Sequence, residues 1–139
     1  MQSQNNSIEV YVDGGSRGNP GPSGGGFAIL QSGKVIDKGS EYFGEKTNNQ
    51  AEYMALRIAL KKVYDKYGDG DTEVNCFMDS QLVVEQMNGN YKVKSENVKP
   101  LFQEVRRIAD QFKNFSISHV PREENYLADN LANRAMDRG

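Results

Sequence analysis

Tryptophan is missing from this chain of 139 residues, and cysteine and histidine occur once each, as Cys76 and His119. A lone cysteine forms no internal disulfide and no cysteine-based zinc site, and it fits a reducing compartment, so a cytoplasmic protein is expected. A lone histidine excludes two-histidine metal sites. No apolar run approaches the roughly 20 residues that span a bilayer. Residues 1–7, all polar after Met1, carry neither a basic residue nor the apolar segment of a secretory signal. A basic surplus is also lacking: 19 acids face 17 bases, a formal net charge of -2. Nucleic-acid binders usually show the opposite balance, so such a reading must explain the deficit. What remains, 37% hydrophobic and 26% charged residues, is a globular composition sufficient for one core. The expectation is a disordered tail over residues 1–7 and a single domain over 8–139.

Along the chain, Ile8, Val10 and Val12 alternate with Glu9, Tyr11 and Asp13, the period of a strand. Seven of the 14 glycines fall between Gly14 and Gly26, which predicts a bend. Strands over 24–30 and 34–43, split by Gln31-Ser32-Gly33, complete an antiparallel meander. Thr47 and Gln50 have the spacing of a capping box, so a helix is expected from there to about residue 67, closed by Gly68. A fourth strand is expected over 72–78, with Asp79 and Ser80 opening a short helix that ends near Gly89. Val98, Leu101, Phe102, Val105, Ile108, Ala109 and Phe112 recur at helical spacing. Pro100 suits only the first turn of that helix, which makes Asn97 its expected N-cap. A fifth strand over 115–120 is stopped by Pro121. A last helix then carries Leu127, Ala128, Leu131, Ala132 and Ala135. The order βββ-α-β-α-α-β-α predicts an α/β fold, with a five-stranded mixed sheet flanked by helices. Sites in such sheets lie beyond the carboxyl ends of the strands.

Four carboxylates stand out. Asp13 ends the first strand and Asp79 the fourth, so the two meet if those strands are parallel neighbours. Each also has an ordinary reading, as a turn residue and as part of a helix cap. Glu52 shares its helix face with Leu56, Ala59 and Val63, and an ionised carboxylate there is costly unless it is paired, bound to a metal or able to reach solvent. Asp129, between Asn125 and Asn133 at four-residue spacing, would alone read as a solvated helix acid. Together, four acids at one sheet edge repel unless cations lie between them. Magnesium and manganese take such oxygen ligands alongside substrate phosphates. The residues therefore point to a divalent-cation site acting on a phosphate ester.

Tyr-Val-Asp-Gly-Gly-Ser-Arg-Gly-Asn-Pro-Gly-Pro (11–22), Thr-Asn-Asn-Gln-Ala-Glu (47–52), Met-Asp-Ser-Gln (78–81), and Val-Pro-Arg-Glu-Glu-Asn with Ala-Asp-Asn-Leu-Ala-Asn (within 120–133) resemble the four motifs of type 1 ribonuclease H, in order and spacing. The resemblance spans residues 8–136. It implies the ribonuclease H-like fold and endonucleolytic hydrolysis of the RNA strand of an RNA/DNA hybrid. It also implies Asp13, Glu52, Asp79 and Asp129 as catalytic and metal-binding acids. Two Mg2+ or Mn2+ ions and products bearing a 5′-phosphate and a 3′-hydroxyl are implied in turn. Asn19, Asn48 and Gln81 match positions that touch the hybrid near its minor groove. Thr47 and Asn97 match a pocket for a DNA phosphate, and the backbone near Gly18 matches one that senses 2′-hydroxyls. A monomer with the hybrid as partner, and neither membrane nor protein partner, is expected. The alternative is a non-catalytic or weakly active module on the same fold that binds hybrid or double-stranded RNA.

The chain departs from the resemblance in three places. The link 88–96 leaves no room for the basic, tryptophan-bearing insertion of many bacterial members, although Lys92, Lys94, Lys99, Arg106 and Arg107 leave a local surplus over Glu96 and Glu104. Glu45 stands where an arginine often precedes the second motif, which weakens the phosphate pocket. His119 lies ten residues before Asp129 but falls in a strand pattern, so it is expected to be structural rather than catalytic. Glu123 or Glu124 is then the acid available for product release. Cys76 is expected to be a buried packing residue.

Overall fold

The computed structural model describes residues 7–68 and 71–138. Five strands, β1 (Ser7–Ser16), β2 (Gly21–Gln31), β3 (Lys34–Lys46), β4 (Glu73–Met78) and β5 (Asn114–His119), form one sheet in the order β3-β2-β1-β4-β5. The β3-β2-β1 pairs are antiparallel, and the β1-β4 and β4-β5 pairs are parallel. Helices α1 (Asn48–Tyr67), α2 (Gln81–Met87), α3 (Lys99–Ala109) and α4 (Tyr126–Arg138) complete the fold, with a 3-10 turn at Arg122–Glu124. The expected element order and mixed sheet are therefore present. None of these helices is long and apolar enough to cross a membrane.

Alternation in β1 buries Ile8, Val10 and Val12 beneath α1, whose buried face includes Leu56, Ala59, Leu60 and Val63. Val74, Cys76 and Met78 of β4 extend this core, and Val105 of α3 closes it. Helix α4 covers the opposite face of β1 and β2. The α1 start is as expected: the Thr47 hydroxyl accepts from the Gln50 amide at 3.2 Å, and the Gln50 side chain accepts from the Thr47 amide at 2.9 Å.

The boundaries differ in instructive ways. Of the expected tail, residues 1–6 lie outside the described residues, and Ser7 is already in β1, paired with Glu73. The glycine-rich segment is mostly ladder rather than bend, since Gly14 pairs with Gly25 and Gly15 with Gly24. Glycine is used there because helices press on the backbone. A Cβ on Gly14 would stand 2.3 Å from the Ala51 carbonyl oxygen of α1, and one on Gly26 would stand 2.5 Å from the Leu131 Cβ of α4. Asn97 is not the N-cap of α3. That helix begins one residue later, with Val98 at the cap position and no side-chain cap bond. The Ser95 carbonyl accepts from the Val98 and Lys99 amides instead. Phe112 lies past the end of α3, stacked on Phe115 with ring centroids 6.4 Å apart.

Candidate active site

Val12 pairs with Met78 in the parallel β1-β4 ladder, so the next residues, Asp13 and Asp79, emerge side by side at the carboxyl end of both strands. Gly14 admits α1 against β1, with the Glu52 Cα only 2.9 Å from the Cβ position that Gly14 leaves empty. Gly26, the partner of Asp13 on β2, admits α4 from the other face, which brings Asp129 in. The four acids thus come from β1, α1, the end of β4 and α4. They line one open cleft of about 290 Å³ with Ser16, Arg17, Asn48, Arg122 and Asn133.

Crowding leaves clear electrostatic marks. Burial, the Asp79 charge and a hydrogen bond with Asp129 raise the Asp13 carboxyl well above the ordinary range, and Arg122 offsets part of this. Burial pushes Glu52 up to about 7, with Asp79 adding to the rise and Ser80 opposing it. One Glu52 oxygen, Oε1, is buried with no hydrogen-bond partner, while the Asn48 amide donates to the other at 3.4 Å. Asn125, almost wholly buried, donates to the Val12 carbonyl at 2.9 Å and to Asp79 Oδ1 at 3.4 Å, which ties the start of α4 to the strand ends. Arg122 Nη2 lies 3.3 Å from Asp129 Oδ1. Among the described residues, no three of these acids are already drawn together closely enough to hold a metal ion. The donor set still fits hard divalent cations. It is all oxygen, it is crowded enough to hold protons near neutral pH, and it includes an orphaned carboxylate oxygen.

A second cleft, about 370 Å³, is lined by Asn19, Thr47, Asn48, Asn49, Ser95, Asn97 and Val98. Asn48 belongs to both clefts. Its amide N–H donates to Asn19 Oδ1 at 3.0 Å, and its side-chain oxygen accepts from the Ser16 amide at 3.2 Å. Four of the six expected substrate residues, Asn19, Thr47, Asn48 and Asn97, therefore share one polar surface. Gly18 lies in the turn just before Asn19, with φ at 142°, and Gln81 is exposed at the start of α2; neither lines these clefts.

Comparison with known proteins gives the family. Residues 11–135 match the family described as reverse transcriptase-like. The bifunctional protein Rv2228c of Mycobacterium tuberculosis is 42% identical over 94% of this chain, which spans 35% of that protein's length. RNase H1 of the halophilic archaeon Halobacterium salinarum superimposes with a TM-score of 0.90 at 37% identity, covering 96% of this chain and 99% of that one. LC11-RNase H1, solved in complex with an RNA/DNA hybrid, gives 0.89 at 43% identity, covering 94% and 97%. The chain belongs to the type 1 ribonuclease H family.

Two further residues of this ribonuclease H-like chain stand at the site. Arg122, unremarkable in sequence, lines the acid cleft because the 3-10 turn faces it. Asn125 acts through its main-chain and Asp79 contacts, which its spacing from Asp129 only hinted at. His119 ends β5 opposite Met78, on the sheet face of buried Ile117, and it does not line the cleft. Strand alternation puts Asp13 on the other face.

Proposed function

We propose that this chain is a ribonuclease H that hydrolyses the RNA strand of RNA/DNA hybrids at the cleft of Asp13, Glu52, Asp79 and Asp129. The convergence of four carboxylates from four separate elements, one with an unpartnered buried oxygen, carries the reading. That convergence also favours an enzyme over a binding module, because a surface that only bound a polyanion would gain nothing from it. Asp13, Glu52, Asp79 and Asp129 would hold two Mg2+ or Mn2+ ions. Bound there, the ions would supply water activation and charge neutralisation for displacement at phosphorus. The products would carry a 5′-phosphate and a 3′-hydroxyl.

The chain's own residues do the positioning. Asn125 fixes Asp79, and Asn48 steadies Glu52. The cleft of Thr47, Asn97 and Asn19 grips a DNA phosphate, and Asn48, common to both clefts, sets the distance between that phosphate and the scissile one. The backbone at Gly18 and the exposed Gln81 side chain meet RNA 2′-hydroxyls. The protein acts as a monomer in a reducing, cytoplasmic setting, where the buried thiol of Cys76 stays inert.

The test offers RNA/DNA hybrid, RNA duplex and DNA duplex side by side with Mg2+. Cuts confined to the RNA of the hybrid, with 5′-phosphate ends, are expected. Binding of hybrid by a folded protein that cleaves none of the three would replace the enzyme with the binding module.

A further inference from the structure

The acid cleft contains its own cation. Arg122 extends from the 3-10 turn between β5 and α4, whose backbone is pinned by the Glu124 amide to the Pro121 carbonyl and the Asn125 amide to the Arg122 carbonyl, both at 2.9 Å. Its guanidinium reaches Asp129 through one long contact, Nη2 to Oδ1 at 3.3 Å. The Arg122 side chain is 75% exposed and that of Asp129 only 24%. Such a pair is weak and parts at little cost. The other arginine lining the cleft, Arg17, is engaged elsewhere: it pairs with Asp137 and donates to the Asn133 carbonyl at 3.4 Å. Among the described residues, no lysine lines the cleft.

We propose, resting on the hydrolase reading above, that Arg122 is the resident counter-ion of the metal-free cleft: it holds Asp129 until a divalent cation takes that carboxylate, and the released guanidinium then meets a phosphate of the hybrid. Two properties suit it to the exchange. Its fixed backbone and exposed side chain confine the movement to rotamers. Its planar fork matches a phosphate as well as it matches a carboxylate. The exchange also bears on the net charge of -2, since cation binding would free a positive group for the nucleic acid.

The test is a Mn2+ titration of the full chain without nucleic acid, read by electron paramagnetic resonance, on wild type, Arg122→Gln and Arg17→Gln. An exposed ion pair of ordinary strength corresponds to a change of roughly two- to fivefold, so Arg122→Gln is expected to bind Mn2+ tighter by that factor and Arg17→Gln to change less. At saturating Mn2+, the KM for hybrid is expected to rise more than kcat falls in Arg122→Gln. Unchanged or weaker Mn2+ binding, equal tightening in both variants, or an unaltered KM would overturn the proposal. The wild-type arm separates the two readings. A folded wild type that binds no Mn2+ would overturn the site itself, whereas normal wild-type binding with an indifferent Arg122→Gln would overturn only the role of Arg122.

Discussion

At Asp13, the catalytic role proposed above and stability pull against each other in one side chain. Its carboxyl is pushed up to about 8 by burial and by Asp79 and Asp129, far above the unfolded value near ~4. The folded state therefore binds this proton more tightly. The associated stability is fully present below about pH 4 and is lost as pH rises towards 8. In chelator at pH 8, Asp13→Asn is expected to melt higher than wild type, by roughly 3–6 °C if the relief is about 1 kcal/mol. The same variant should lose more than about a hundredfold in activity. A lower melting temperature in chelator would show that the acids do not repel. His119→Ala should change kcat by less than about threefold, because the residue lies on the sheet face away from Asp13. A collapse in turnover by a folded variant would return His119 to the mechanism. The four acids were legible in sequence as oddities, and the resemblance implied that they meet, but the residues by themselves gave that meeting only as a condition on strand order. It depends on the parallel register of Val12 with Met78, 66 residues apart in number, which no local pattern encodes. Arg122 was illegible for a related reason: it becomes significant only where a short 3-10 turn aims it at an acid on another element.

Among the elements, the helices were read more accurately than the glycine-rich strands. Thr47 and Gln50 announce α1 because a capping box is a local chemical event. Thr47→Ala should cost about 1 kcal/mol in stability, and it should also weaken the hybrid's grip, since Thr47 lines the second cleft. Asn97 misled because its type suits a cap, yet the chain turns through Ser95 and gives Asn97 to the cleft. The stretch from Gly14 to the start of the expected strand at residue 24 read as a bend because glycine is weighed locally as a breaker. Here its cause is tertiary: α1 and α4 sit against the two faces of the strands. Gly26→Ala is the sharpest check of that cause. Its Cβ would meet Leu131, Ala132 and the Ala128 carbonyl at 2.5–2.7 Å, so a loss of about 1–3 kcal/mol in urea unfolding is expected, with activity falling as α4 and Asp129 are pushed outward. A variant of wild-type stability would mean that α4 has room to move.

For the molecule as a whole, the proposed function carries a difficulty, because a chain with 19 acids and 17 bases would have to work on a polyanion. Its second cleft is lined by uncharged Thr, Asn and Ser side chains, and Glu45 stands where a base would help. Few phosphates are then neutralised by lysine or arginine. With about two such contacts, hybrid affinity should fall only about tenfold between roughly 50 and 200 mM salt, against the thousandfold or more of a strongly basic binder. A steep slope would reveal a basic surface beyond the two clefts, with Lys92, Lys94 and Lys99 the first to substitute. On the proposed reading, cations held by the four acids would make up the remaining charge deficit, so metal dependence, strand choice and the acid cleft stand or fall together. Cleavage of an end-labelled RNA/DNA hybrid in Mg2+, in Mn2+ and in chelator, by wild type and by Asp13→Asn, measures all three. Cuts within the RNA strand that require a divalent cation and vanish in a folded Asp13→Asn protein are the predicted result. Cleavage that persists in chelator, or that survives the loss of Asp13, would contradict it.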